Sequence, residues 1–257
     1  MMHKAGFVNI IGLPNVGKST LLNGLIGERL SIISPKAQTT RGRLIGLVNQ
    51  EDCQVVFSDT PGYVNEPAYE LHRTMNNYIH EAFEDADVLM LITDKYQSED
   101  EQQFLIKQCC QSKLPVIIVL NKVDLCKPAE IPAIQARWES LIPGARFIAV
   151  SAKENFNTQG IIEMVKPFMP ESPAYYSKED LTDRNMRYFV AEIVREKIIR
   201  QLGEELPYQT AVEIEQFVDD AGLLRISALI IVEKEGQKKI VIGDGGERLK
   251  KIGQQAR

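Results

Sequence analysis

Through the first two thirds of the chain, short apolar runs alternate with longer stretches in which apolar residues recur at helical spacing. The apolar runs are Phe7–Ile11, Leu44–Val48, Val55–Phe57, Val88–Ile92, Val116–Leu120 and Phe147–Val150. Helical patterns fall between them, near 18–26, 69–86, 100–112, 130–141 and 157–168. Strands that alternate with helices predict a mostly parallel six-stranded sheet with helices on both faces. One pair differs. Leu44–Val48 and Val55–Phe57 are separated only by Asn49-Gln50-Glu51-Asp52, a hairpin-length polar turn, so these two strands are expected to be antiparallel. In such sheets ligands bind where loops leave the carboxyl ends of the strands.

The alternation stops at Pro167-Phe168-Met169-Pro170-Glu171-Ser172-Pro173, which is too rich in proline to continue a helix. This places a first domain at 1–169, a linker at 170–183 and a second, α+β unit at 184–257. The second unit reads as a helix over 184–202, strands near 210–218 and 224–234, and a basic helix, Glu247–Gln255.

The chain has 257 residues, of which 44% are hydrophobic and 25% charged, an ordinary balance for a soluble globular protein. A net charge of −5 gives no global sign of a nucleic-acid partner. The last stretch differs: Lys234, Lys238, Lys239, Arg248, Lys250, Lys251 and Arg257 outnumber Glu235, Asp244 and Glu247 there. Cys53, Cys109, Cys110 and Cys126 have neither metal-ligand nor disulfide-framework spacing, so reduced thiols in a cytosolic protein are expected. No apolar segment approaches the ~20 residues needed to span a bilayer.

The candidate chemistry lies in the loops. Gly12-Leu13-Pro14-Asn15-Val16-Gly17-Lys18-Ser19 follows the first apolar run and opens the first helix at Thr20. It fits the phosphate-loop pattern G-x-x-x-x-G-K-[ST], in which glycines turn successive N–H groups inward, the lysine reaches the β- and γ-phosphates and the hydroxyl ligates Mg²⁺. Chance supplies such a match on the order of once per hundred chains of this length. Asp59-Thr60-Pro61-Gly62 ends the third strand. A carboxylate there can hold Mg²⁺ and a glycine admits a backbone N–H to the γ-phosphate. Asn121-Lys122-Val123-Asp124 follows the fifth strand. The Asp124 carboxylate can accept from both N1–H and the 2-amino group of guanine, donors that adenine does not present. A buried acceptor of this kind discriminates by roughly 10⁴-fold. Asn121 and Lys122 are expected to brace the loop and cover the base. Ser151-Ala152-Lys153 follows the sixth strand, with the Ala152 N–H expected at guanine O6.

In order, these loops resemble the first, third, fourth and fifth motifs of the translation-factor-related GTPases. The second motif is a switch threonine whose hydroxyl meets Mg²⁺ in the triphosphate state. Gln38-Thr39-Thr40-Arg41 lies in that interval, and Thr40 is favoured over Thr39. The resemblance implies a P-loop G domain, with Lys18, Thr40, Asp59 and Gly62 at the reaction and Ser19, Thr40 and Asp59 around the metal. Tyr63 stands where the signalling GTPases carry a glutamine that orients water, so slow intrinsic hydrolysis is expected. In related GTPases with an asparagine at position 15, a K⁺ ion can add positive charge beside the phosphates.

In the second unit, Ile240-Val241-Ile242-Gly243-Asp244-Gly245-Gly246 sets a G-x-x-G loop before a basic helix, the pattern of a KH-type RNA clamp. Gly243, Gly245 and Gly246 would admit a single-stranded backbone, Ile240 and Ile242 would line the groove, and Asp244, Arg248, Lys250 and Lys251 would face the strand. One G domain and one type II KH domain, joined by Leu181-Thr182-Asp183-Arg184, Ala191–Lys197 and Glu205-Leu206-Pro207-Tyr208, resemble the Era family of bacterial GTPases over essentially the whole chain.

That resemblance implies binding to the 3′ region of small-subunit ribosomal RNA, help in 30S assembly, and GTP/GDP with Mg²⁺ as ligands. It also implies a cytoplasmic monomer, partly peripheral at the inner membrane. Two departures stand out: Asp244 occupies a position where the family carries a basic or neutral residue, and the chain stops at Arg257, before the family's last strand and helix. A C-terminally truncated KH sheet is therefore expected. The alternative reading is an RNA-binding module whose G domain binds nucleotide without turnover. A tRNA-modification or tandem-domain GTPase is disfavoured by the single G domain and the G-x-x-G loop.

Overall fold

The computed structural model describes residues 3–34, 36, 39–66, 70–202 and 206–257. Gln38, the start of the 69–86 helix and Glu205 lie outside the described residues. The chain divides into two compact units, Met1–Asp183 and Arg184–Arg257.

The first unit runs β1 (Lys4–Ile11), α1 (Lys18–Ile26), β2 (Leu44–Asn49), β3 (Cys53–Asp59), α2 (Glu70–Glu84), β4 (Val88–Thr93), α3 (Glu99–Gln111), β5 (Val116–Leu120), α4 (Ile131–Leu141), β6 (Arg146–Ala149) and α5 (Gln159–Val165). Its sheet has the order β2-β3-β1-β4-β5-β6. Among the described strand pairs of this sheet, β2–β3 is antiparallel and the other four are parallel. β3, β4 and β5 are buried at every position, which explains why their sequences read as continuous apolar runs rather than alternating ones. The order of strands reverses at β1, whose neighbours are β3 on one side and β4 on the other. The loop after β1 therefore opens at a switch point of the sheet, the place where α/β folds form their crevice.

The stretch 170–183 connects the units, but it is strapped to the first. The Ala5 N–H donates to the Pro170 carbonyl at 3.1 Å, and the Leu47 N–H to that of Leu181 at 2.9 Å. The Gln54 side-chain oxygen takes the N–H groups of Tyr175 and Tyr176 at 2.8 and 3.0 Å. Tyr175 also stacks on Phe7, with ring centroids 5.3 Å apart. Proline content forbids a helix here, but it does not stop an extended backbone from pairing with the edge strand β2.

The second unit comprises α6 (Met186–Gln201), β7 (Thr210–Asp220), β8 (Leu223–Val232), α7 (Glu235–Ile242) and α8 (Glu247–Ala256). β7 and β8 form an antiparallel hairpin that turns through Ala221 and Gly222, both at positive φ. Ile198, Leu202, Val241 and Ile252 are buried together, with Val194, Val212 and Ile230 packed against them. Thus α6, α7 and α8 share one core with one face of the hairpin.

Candidate functional site

The loop after β1 turns because two of its positions accept only glycine. At Gly12 (φ 153°) a Cβ would lie 2.5 Å from the Ile92 carbonyl oxygen, and at Gly17 (φ 97°) it would lie 2.3 Å from the Asn121 side-chain nitrogen. Asn15 also has positive φ, 64°, and is exposed. The Lys18 ammonium is buried at the centre, donating to the carbonyls of Gly12 at 3.1 Å and Leu13 at 2.8 Å. Burial pushes its pKa down to about 8, and nearby Asp59 acts the other way. A buried cation short of negative charge, beside a loop and a helix N-terminus, is an anion seat.

Beside it lies an oxygen cluster. Ser19 Oγ donates to Asp59 Oδ2 at 2.7 Å and lies 2.9 Å from Thr40 Oγ1. Thr40 Oγ1 and Ser31 Oγ each reach the same carboxylate oxygen at 3.4 Å. Asp59 is fully buried, and burial raises its pKa against the pull of Lys18 and these hydroxyls. Its second oxygen, Oδ1, is buried and has no hydrogen-bond partner among the described residues. A carboxylate with one orphaned oxygen beside three hydroxyls is an all-oxygen donor set that fits Mg²⁺. Thr40 Oγ1 thus lies in this cluster, between Ser19 and Asp59.

Thr60 does something else: its hydroxyl is buried and donates to the Ile10 carbonyl at 2.7 Å, tying β3 to β1. Pro61 leads into Gly62, where a Cβ would meet backbone atoms of Pro14 at 2.7 Å, so the two loops touch. The Tyr63 N–H donates to the Gly12 carbonyl at 3.2 Å, and its ring stacks on Phe104 at 4.3 Å. Pro14, Asn15, Gly17, Lys18, Ser19, Thr20, Ile32, Ile33, Thr40, Gly62 and Lys122 border a cleft of about 330 Å³.

At the other end, Asn121 is almost fully buried and braces three loops. Its side-chain nitrogen donates to the Val16 carbonyl at 2.9 Å, and its oxygen accepts the Ala152 N–H at 2.9 Å. The Ala152 N–H, the group expected at guanine O6, thus points at the Asn121 side chain in this structure. Asp124 Oδ1 accepts from Ser151 Oγ at 2.6 Å, which orients the carboxylate. The same residue is exposed, not a buried acceptor. The Val123 N–H donates to the Val150 carbonyl at 3.1 Å. Lys153 is exposed and paired with Glu154 at 3.0 Å; that hydrogen bond raises its pKa. Lys122 spans to the phosphate loop, donating to the Asn15 carbonyl and to Asp94 Oδ2, both at 2.7 Å.

Ser31 and Asp94 were not among the motif residues. Ser31 belongs to no spaced pattern; its place follows from Asn23, whose side chain accepts the Leu30 and Ser31 N–H groups and donates to the Ser31 carbonyl. Asp94 has a signal, an acidic residue two positions beyond the last residue of an apolar run, as Asp59 is.

In the second unit, the loop between α7 and α8 has positive φ at Gly243 (73°), Gly245 (56°) and Gly246 (81°). A Cβ on Gly243 would lie 2.7 Å from the Arg248 Cβ. The Arg248 guanidinium donates to the Ile240 carbonyl and so ties the start of α8 to the end of α7. Ile240 is exposed, Ile242 half-buried, and Asp244, Lys250 and Lys251 are exposed. This surface combines an apolar strip, a tight glycine turn and cations, the chemistry of a single-stranded RNA groove.

Among protein families, that described as 50S ribosome-binding GTPase matches residues 7–122, and the KH domain matches residues 205–257. GTPase Era of Ectopseudomonas mendocina is 42% identical over 255 residues, covering 99% of this chain and 85% of its own length. GTPase Era of Pseudomonas aeruginosa is 42% identical, covering 99% and 84%. Among solved structures, Aquifex aeolicus Era carrying a tyrosine-to-alanine substitution and bound to GDP·AlF4⁻ superimposes with a TM-score of 0.91 at 36% identity, covering 99% of this chain and 87% of the other. A complex of Era with MgGDPNP and nucleotides 1506–1542 of 16S ribosomal RNA gives 0.88 at 36% identity, with the same coverage.

Proposed function

This chain belongs to the Era family of GTPases, and from that membership and the site's geometry we propose a GTP-hydrolysing switch that engages small-subunit ribosomal RNA through its KH unit. The observation that carries the reading is one rim of one sheet bearing a buried lysine, an oxygen cluster and an oriented carboxylate in succession. Lys18 and the inward N–H groups of Gly12–Ser19 take the phosphates. Ser19, Thr40 and Asp59 would hold Mg²⁺, which would neutralise charge on the phosphate oxygens. Asp124, set by Ser151, accepts from the guanine edge, and the Lys122 stem covers the base. Gly62 brings the backbone of the Asp59–Gly62 loop against the phosphate loop, where an N–H can meet the γ-phosphate.

Tyr63 has no side-chain amide with which to orient an attacking water, so intrinsic turnover is slow. A K⁺ ion beside Asn15 would add positive charge where it develops. On hydrolysis, contacts to the γ-phosphate are lost and the segments at Thr40 and after Asp59 relax. The relaxation changes how the KH groove is offered to the 3′ region of the RNA, which is how the protein would assist 30S assembly. The working form is a cytoplasmic monomer that meets the inner membrane only peripherally. No described helix is long and apolar enough to cross a membrane.

The test is crosslinking of the protein to total cellular RNA with GDPNP or GDP bound, followed by sequencing of the attached fragments. Enrichment of the 3′ end of small-subunit RNA in the GDPNP sample is expected, and enrichment of unrelated RNA alone would refute the reading. GTP turnover measured in K⁺ and in Na⁺ completes it: no turnover in either would leave a nucleotide-binding RNA module instead of a switch.

A further inference from the structure

Lys122 is held in a conformation that L-residues adopt reluctantly, with φ 59° and ψ 38°. What holds it is a pair of anchors at the far end of the side chain. Its ammonium meets Asp94 Oδ2 at 2.7 Å and the Asn15 carbonyl at 2.7 Å. Asp94 is almost completely buried, with its side chain 2% exposed against 33% for Lys122. It sits directly after β4, and its other oxygen accepts the Tyr96 N–H at 2.9 Å, which fixes the carboxylate's direction. Three loops meet at this ammonium: the one after β1, the one after β4 and the one after β5. The stem between backbone and ammonium is thereby stretched along the wall of the cleft.

We infer that Asp94 is a positioning residue for nucleotide retention, acting through Lys122, which it pins as a fixed strut between the base-recognition loop and the phosphate loop. The inference deepens the nucleotide-binding reading and rests on it. Without the Asp94 charge, the Lys122 ammonium keeps only the Asn15 carbonyl of its two anchors, and the four-carbon stem regains rotamer freedom that the double anchor had removed. The stem then no longer presents a preset face to the base, and the phosphate loop loses its outer tether at Asn15. Both effects act on release of the bound nucleotide, not on the oxygen cluster around Asp59.

Asp94→Asn removes the charge and retains an oxygen for the Tyr96 N–H. Stopped-flow release of a fluorescent GDP (mant-GDP) is measured for the full chain, Asp94→Asn, Lys122→Met and the double variant. Each single variant is expected to speed release about tenfold, the scale of one lost charge-assisted hydrogen bond. The double variant is expected to be no faster than the faster single, because both changes break one link. For Asp94→Asn, KM for GTP rises, whereas kcat at saturation stays within about twofold. Release from Asp94→Asn at the wild-type rate overturns the inference, and so do single effects that multiply in the double variant. A merely structural role for Asp94 would lower the melting temperature without that non-additivity. If Asp94→Asn does not fold, Lys122→Met decides alone, and wild-type release from it overturns the strut. Wild-type protein that holds no mant-GDP refutes the nucleotide reading itself, a result distinct from equal rates.

Discussion

Replacing Asn121 by alanine should destabilise the protein even with no nucleotide present. The side chain is 2% exposed and closes two hydrogen bonds at 2.9 Å, one to the Val16 carbonyl and one from the Ala152 N–H. Val16 is fully buried and Ala152 nearly so, so water cannot easily replace either partner. Stranding a buried donor or acceptor costs about 1–3 kcal/mol, which for two groups gives about 2–6 kcal/mol. In a unit of this size each kcal/mol moves Tm by about 2–4 °C, so a drop of at least about 4 °C is expected. Calorimetry of nucleotide-free wild-type protein and Asn121→Ala measures it. Asn121→Asp is the companion variant. It keeps an oxygen for the Ala152 N–H but turns a second acceptor toward the Val16 carbonyl, so it should fare no better. A melting temperature unchanged in both variants would refute the idea that Asn121 is the brace joining the phosphate loop to the loops after β5 and β6.

Four further outcomes follow from other contacts. Gly62→Ala places a methyl 2.7 Å from backbone atoms of Pro14; the loops must separate, and single-turnover GTP hydrolysis should fall by at least about 10²-fold, the scale of losing one aimed donor, while mant-GDP binding changes far less. Asp244→Lys should tighten binding to a 3′ small-subunit RNA fragment and steepen its salt dependence, because the exposed carboxylate repels phosphate; equal affinities across a KCl series would contradict this. The Asp52 carboxyl is held below its ordinary range by a 2.8 Å hydrogen bond from Lys166, whose own pKa that bond raises. Asp52 therefore adds stability above the unfolded carboxylate pKa, lost as pH falls through its lower folded value; Lys166 adds stability that persists until pH climbs through its raised one. Asp52→Asn should thus lower Tm slightly at pH 7 in low salt and leave it unchanged near pH 2, as pH-resolved melting will report. Finally, burial pushes the Cys109 thiol up to about 12, whereas Cys110 is exposed; iodoacetamide at pH 8 should label Cys110 and spare Cys109 until the fold is melted, as peptide mass spectrometry will show.

Much of this architecture was legible because parallel strands buried on both faces leave unbroken apolar runs, and the fixed residues of the loops stand directly after them. The runs at Val88, Val116 and Phe147 became β4, β5 and β6 to within a residue at each end. The hairpin turn at Asn49–Asp52 correctly made β2 the antiparallel member. What escaped were side chains whose partners are distant in sequence and share no period with them. Gln54 holds the backbone of Tyr175 and Tyr176, which turned a proline-rich connector into a strap along the sheet edge. Ser31 reaches Asp59 only because Asn23 folds the chain back from α1. The Arg248 charge is visible in the sequence, whereas the Ile240 carbonyl to which it also donates is not.

The central claim is that the rim of this one sheet selects guanine through the carboxylate of Asp124. Competition of GTP and ATP against bound mant-GDP, in wild-type protein and in Asp124→Ala, tests it in one titration. Displacement by GTP at concentrations at least about 10³-fold below those of ATP, with the gap collapsing in the variant, is the predicted result. Equal displacement by the two nucleotides in wild-type protein, or a preference that survives the loss of Asp124, would contradict the account.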